Sequence, residues 1–183
     1  MRPLLLLPSL LLAACAGTPA PEGAVALGGL LLDAGGDASG PAAAAGSSPE
    51  LRGFEVAWEG PRIADNAHLQ VAWLRRDDRL APGRSLQSDV VRVSPRWFWE
   101  LQPAVSAWAG PGLGAAWNQD DGLGTDYELS LYGELAAGLR WEFQPGWSLG
   151  LFGAYTLLDA DGDPGGVSSV NGTVFGLQLA WDY

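Results

Sequence analysis

The residues of this chain best suited to acid–base chemistry are glutamates that recur, with arginines, at alternate positions of apolar segments. Paired carboxylates can act as general acid and general base, but no candidate nucleophile accompanies them here. If these alternate positions face the interior of the fold, their charges must pair or remain hydrated there. The pattern therefore favours a structural network of ion pairs over a catalytic site. The predicted network comprises Glu55, Glu59, Arg92, Arg96, Glu128, Glu134, Arg140 and Glu142.

His68 is the only histidine of the chain. A hydrolase of the Ser-His-Asp type would require it, but no matching serine motif is present. We therefore expect its ring to be a hydrogen-bonding partner inside the fold and predict no catalytic residue.

Residues 159–163 (DADGD) have the alternating aspartates of a calcium loop. An EF-hand loop also needs glycine at its sixth position and glutamate at its twelfth, where this chain has Pro164 and Val170. The glycines at 110, 112 and 114 lack the lysine and the helix of a phosphate loop. We expect neither a metal site nor a cofactor, although the loop aspartates could gather divalent cations at a membrane surface.

Composition narrows the class of protein. Hydrophobic residues make up 48% of the 183 residues, yet no apolar stretch past the amino terminus approaches the roughly 20 residues of a membrane helix. The net charge of −11 argues against nucleic acid as a partner, since a phosphate backbone requires a basic face. The single cysteine, Cys15, excludes an intrachain disulfide.

Residues 173–183 alternate strictly between large apolar side chains on one side and small or polar ones on the other, as an extended strand requires. This segment, which ends in the aromatic Tyr183, resembles the closing strand of bacterial outer-membrane β-barrels. The resemblance extends over residues 50–183 and, more weakly, over residues 24–32, and is to small OmpA/OmpX-type barrels.

The resemblance implies an all-β fold: an antiparallel up-and-down transmembrane barrel of about eight strands, with short periplasmic turns and longer extracellular loops. It also implies a location in the outer membrane of a Gram-negative bacterium. The implied partners are outer-membrane lipids, lipopolysaccharide and, through the last strand, the barrel assembly machinery.

Alternation and turn residues together predict the strands. The first predicted strand, 24–32, alternates poorly and is included because such barrels have an even strand number. Residues 33–50 are predicted to be a disordered loop or tether, 75–86 a charged loop, and Pro111 the site of a bend or bulge. The predicted strands are 24–32, 52–59, 68–74, 88–99, 103–117, 127–143, 147–158 and 173–183.

Barrel polarity places the charged network in the lumen, which is just wide enough in an eight-stranded barrel for side chains to fill. We therefore expect a plugged lumen rather than an open pore. Aromatic residues cluster near the strand ends with tight turns, as expected for a girdle at a membrane interface. The predicted girdle comprises Trp58, Trp97, Trp99, Trp141, Trp147, Trp181 and Tyr183.

The amino terminus reads as an export signal. Residues 1–14 have a charged start and a short apolar run, and residues 12–15 (LAAC) resemble the lipobox of bacterial lipoproteins, although a small-x-small cleavage site also fits. The resemblance implies lipidation of Cys15, with residues 15–23 as a spacer and residues 24–183 as a single barrel domain.

Three functions remain open at this stage. The first is an integral outer-membrane barrel with a structural or surface-interaction role and no catalytic activity. The second is a lipid-anchored periplasmic β-barrel or sandwich that binds an apolar ligand, which would require the apolar strand faces to point inward. The third is a barrel enzyme acting on lipids, which would depend on His68.

Overall fold

The computed structural model describes residues 23–39, 50–81, 84–120, 128–159 and 169–182. These residues form eight antiparallel strands and contain no helix that could cross a membrane. The strands are β1 (Ala24–Ser39), β2 (Glu50–Ala64), β3 (Ala67–Ala81), β4 (Arg84–Gln102), β5 (Val105–Asp120), β6 (Glu128–Gln144), β7 (Trp147–Asp159) and β8 (Ser169–Asp182).

Each strand pairs with the next, and β1 pairs with β8, so the sheet closes into a barrel. Closure leaves no unpaired sheet edge. The predicted fold, an up-and-down barrel of eight strands, is confirmed. Two-residue turns join the strands at one end, at residues 65–66, 103–104 and 145–146. Gly146 has a φ of +77°, the left-handed value that the third position of a type II turn requires.

The strands are longer than the sequence predicts. The predicted charged loop at 75–86 is wrong, because β3 runs to Ala81 and β4 begins at Arg84. Alternation continues through this segment, with inward Arg76 paired to inward Asp78, so its charges are satisfied within strands. Strand β1 likewise continues through residues 33–39, paired with β8 across register shifts, whereas a disordered segment was predicted; residues 40–49 lie outside the described ranges.

The bulge predicted at Pro111 is also wrong. Strands β4 and β5 keep one register from Val93↔Leu113 to Trp97↔Ala109, and this register places Pro95 of β4 across from Pro111. Two residues that lack a backbone N–H thus lie opposite each other. Because both missing hydrogen-bond donors fall at the same position of the ladder, the register continues past it without an extra residue.

The barrel has inverted polarity. Leu131 is 73% exposed on the outside, whereas Glu134, three residues along the same strand, is 8% exposed. Strand β7 alternates between exposed and buried positions along its whole length. The outer surface is therefore mostly apolar and the interior carries the charges, as a barrel in a lipid bilayer requires.

Candidate functional site

The centre of the lumen is occupied by one arginine held between two carboxylates. Arg92, whose side chain is 2% exposed, donates from Nη2 to Oε2 of Glu55 at 2.6 Å and to Oε1 of Gln70 at 3.2 Å. Its Nη1 forms an ion pair with Glu134. The cluster thus joins β2, β3, β4 and β6 across the barrel.

Both glutamates have a second partner. Gln178 donates from Nε2 to Glu55 at 3.2 Å, and the Tyr132 hydroxyl donates to Glu134 at 2.9 Å. These charge-assisted bonds are stronger than those between neutral groups. Arg92 and five other side chains therefore form one connected network, which is called the central cluster below. The five other members, bound to Arg92 directly or through one of the glutamates, are Glu55, Gln70, Tyr132, Glu134 and Gln178.

A second layer lies toward the tight turns. Arg140 donates to Glu59 at 2.7 Å, to Ser148 at 2.7 Å and to Asp182 at 2.5 Å. Arg96 lies 3.9 Å from Glu59 and stacks over the ring of Trp108, with its guanidinium carbon 3.8 Å from the ring centroid. This stacking places a cation on the negative face of the indole.

A third layer lies on the opposite side of the central cluster. Arg76 forms a two-pronged pair with Asp78, at 2.7 and 2.8 Å, and contacts Thr156 at 3.4 Å. A cavity of about 10 Å³ separates this pair from the central cluster, which is about the space of one water molecule. Sequence reasoning missed both residues, although the alternation of the predicted strand 68–74 continues through them.

The structure brings six of the eight predicted network residues into two groups, Glu55–Arg92–Glu134 and Glu59–Arg96–Arg140. Glu142 is exposed and has no ion-pair partner in the described part of the chain, because it lies one step nearer the turn than Arg140. The side chain of Glu128 is outside the described set.

His68 lines an open vestibule of about 510 Å³ at the end of the barrel with the tight turns. Its ring meets Phe98 edge-on, at 5.6 Å between centroids. Ser106, Glu142 and Asp182 line the same space. Among the residues that the structure describes, no group of histidines and carboxylates could hold a metal ion.

The predicted girdle residues that the structure describes lie on the outer surface near the tight turns. Trp147 and Trp181 stack on each other across β7 and β8, at 6.2 Å between centroids. Trp58 is partly buried, and Tyr183 and the predicted lipidation site Cys15 lie outside the described residues. The exposed members are Trp97, Trp99, Trp141, Trp147 and Trp181.

Glycines on β5 make room for the buried arginines. A Cβ on Gly110 would lie 2.0 Å from the backbone oxygen of Pro95, and one on Gly114 would lie 2.9 Å from the Cα of Arg92. Real Cβ contacts are never this short, and backbone atoms cannot rotate away. The β4 and β5 backbones can approach this closely only because Gly110 and Gly114 have no side chain.

We expect Gly110→Ala to lower the free energy of unfolding by about 1–3 kcal/mol, the usual cost of overpacking. The matched control is Gly133→Ala on β6, where an added Cβ meets only Leu157 at 3.9 Å; it should change stability by less than about 0.5 kcal/mol. Urea unfolding in lipid vesicles, followed by tryptophan fluorescence, measures both. Equal effects at the two glycines would contradict the close approach.

Comparison with solved structures identifies the same architecture in small outer-membrane proteins. Neisserial surface protein A matches with a TM-score of 0.66 at 14% identity, over 88% of this chain and 97% of that one. OprG of Pseudomonas aeruginosa matches with a TM-score of 0.51 at 11% identity, over 90% and 97%. Ail of Yersinia pestis in a phospholipid nanodisc matches with a TM-score of 0.50 at 13% identity, over 89% and 99%.

No protein-family model and no curated protein sequence matches the chain. At these identities the similar structures show the fold, and the chain's own surface supplies the location. An apolar outer wall, aromatic residues near its edge and a charged interior fit a bilayer and no aqueous compartment. The chain is an eight-stranded β-barrel with the fold of small outer-membrane proteins, and its apolar outer wall suits a lipid bilayer.

Proposed function

We propose that this protein is a closed, non-catalytic outer-membrane barrel that acts as a structural or surface-interaction element rather than as a pore. The observation that carries the proposal is the position of Arg92. Its guanidinium, 2% exposed, bridges Glu55 on β2 and Glu134 on β6 across the lumen. An ion or solute would have to displace this bridge to pass.

Two further layers support a plugged lumen. The Arg76–Asp78 pair lies on one side of the central cluster, and the Arg140–Glu59 pair lies on the other. Separating a buried pair leaves uncompensated charges, which costs several kcal/mol. Three such layers in series make spontaneous opening rare.

The interior argues against the alternative of a periplasmic carrier for apolar ligands. Such a carrier needs its apolar faces inside, whereas Leu139, Leu151 and Leu177 are 50%, 55% and 47% exposed on the outer surface. The enzyme alternative has little support, because the neighbours of His68 in the vestibule include Phe98 and no serine in hydrogen-bond contact is observed among the described residues.

We expect the purified barrel, reconstituted in planar bilayers, to show no stepwise conductance above that of the bare lipid. The three ion-pair layers are the physical reason. A large porin inserted under the same conditions provides the positive control, and heat-modifiable migration on gels verifies that the barrel is folded. Regular, voltage-independent conductance steps from folded protein would refute the plugged lumen.

A further inference from the structure

Three exposed arginines form a ridge on one side of the outer wall. Arg52 on β2 and Arg75 and Arg79 on β3 all point outward, at the end of the barrel opposite the tight turns. They are called the arginine ridge below. Of the other arginines whose side chains are described, only Arg62, at a tight turn, is exposed.

The register brings the three ridge arginines together. Arg52 lies directly across from Asp77, and Arg75 and Arg79 lie two residues to either side of Asp77 on β3. Arg75 and Arg79 are therefore diagonal neighbours of Arg52, and diagonal neighbours are about 7–8 Å apart. In the register Asp77 therefore lies between the three arginines, and Glu50 lies across from Arg79.

The ridge begins where the apolar wall ends. Arg75 pairs in register with Phe54, which is 45% exposed and packs edge-on against Trp73 at 5.1 Å. Aromatic residues of this kind mark the boundary between acyl chains and headgroups. Because long connections lie outside in such barrels and tight turns lie in the periplasm, the ridge is at the depth of the outer-leaflet headgroups.

Contacts within the protein orient the ridge without exhausting its donors. Arg75 donates from Nη2 to Gln87 at 3.2 Å and lies 3.7 Å from Asp89, yet its side chain remains 44% exposed. Arg52 and Arg79 also have partners within the protein. A guanidinium carries five donors, so each can contact a further acceptor from the membrane side.

The far wall differs at this depth. The outward residues of β6 and β7 there are Leu129, Leu131 and Leu157, with exposures of 65%, 73% and 48%, and the exposed Asp159. Among the side chains that the structure describes, the exposed arginines at this end of the barrel therefore all lie on the β2–β3 side. A uniform belt of charge would serve only solubility, whereas one local group of arginines is suited to one localised anion.

We propose that the arginine ridge binds a phosphate group of an outer-leaflet glycolipid, the phosphorylated lipid A part of lipopolysaccharide. Arginine recognises phosphate through paired N–H donors in a fixed fork, and all ten cationic residues of the chain are arginines. The acyl chains of the same lipid would lie against Phe54 and Val93. The inference rests on the proposed location in the outer membrane.

The test compares folded wild-type protein, the triple variant Arg52→Gln/Arg75→Gln/Arg79→Gln, and the control Arg62→Gln, which removes an exposed arginine close to a tight turn. Each is reconstituted with lipid A or with dephosphorylated lipid A, and the retained lipid is measured by native mass spectrometry. We expect the triple variant to retain about tenfold less lipid A, a loss of roughly 1.4 kcal/mol, and Arg62→Gln to match the wild type.

Dephosphorylated lipid A should be retained equally by wild-type and triple-variant protein. Equal retention of intact lipid A by these two proteins would overturn the proposal, as would a loss that is the same for both lipids. Heat-modifiable migration in each sample shows whether the barrel has inserted, so that failure of the membrane location itself is detected separately. If the triple variant does not fold, the three single substitutions should each reduce retention.

Discussion

Arg92→Met is expected to lower the free energy of unfolding by about 3–5 kcal/mol, the usual cost of removing one partner from a buried ion pair. The substitution keeps an unbranched side chain of similar length but leaves Glu55, 1% exposed, and Glu134, 8% exposed, without their shared cation. Urea unfolding of the barrel in lipid vesicles, followed by tryptophan fluorescence, measures the change.

Two further variants separate charge from packing. Arg92→Met combined with Glu55→Gln and Glu134→Gln removes every charge of the trio, so no carboxylate is left buried without its cation. We expect this triple variant to recover most of the lost stability. Arg62→Met, at an exposed arginine, should change stability by less than about 0.5 kcal/mol. If the triple variant were as unstable as Arg92→Met, the penalty would come from lost packing rather than from unpaired carboxylates.

Alternation alone predicts which residues face the lumen. The period of two assigns Glu55, Arg92 and Glu134 to the inner side, and the structure places them there. The facing of a residue is a local property, fixed by the pleat of its own strand. The exposed leucines of β6 follow from the same rule.

Which residues contact each other depends on more than the side of the strand that each residue occupies. Arg140 binds Glu59, 81 positions away, because closure of the ring brings β6 and β2 to the same depth on facing walls. The depth of a residue in the barrel depends on the tilt of its strand and on the register between neighbouring strands. The alternation of side chains along one strand carries no information on either. Glu142 shares a face with Arg140 yet lies at the rim, and Arg96 stacks over Trp108 while its nearest carboxylate, Glu59, is 3.9 Å away.

The high density of charged residues hides the end of β3 and the start of β4 in the sequence. The segment from Arg75 to Ser85 is so polar that it resembles a loop, and loops outside the membrane are usually polar. In the structure its inner face carries the paired Arg76 and Asp78, and on its outer face Arg75 lies 3.7 Å from Asp89. Strands that extend past the bilayer can carry charge on both faces, so hydropathy marks the membrane and not the end of the sheet.

Leu135→Arg is expected to lower the free energy of unfolding in a bilayer by about 2–4 kcal/mol, the cost of an arginine at the midplane of a lipid-facing wall. Leu135 is 66% exposed on β6, six residues from the girdle residue Trp141. With a rise of about 3.4 Å per residue and a tilt near 40°, six residues correspond to about 16 Å along the membrane normal. The apolar band of such barrels is about 25 Å tall, so Leu135 lies close to its centre.

Leu129→Arg on the same strand provides a closely matched control. Leu129 is 65% exposed and faces the same side, but it lies twice as far from Trp141, about 31 Å along the normal by the same geometry. There the added charge reaches headgroups or water, and the cost should fall to about 0–1 kcal/mol. Urea titrations of both variants in phosphatidylcholine vesicles give the two values. In a protein surrounded by water, two leucines of equal exposure would tolerate arginine equally. Indistinguishable unfolding curves would therefore contradict the lipid-facing wall. A penalty that depends on depth requires a bilayer around β6.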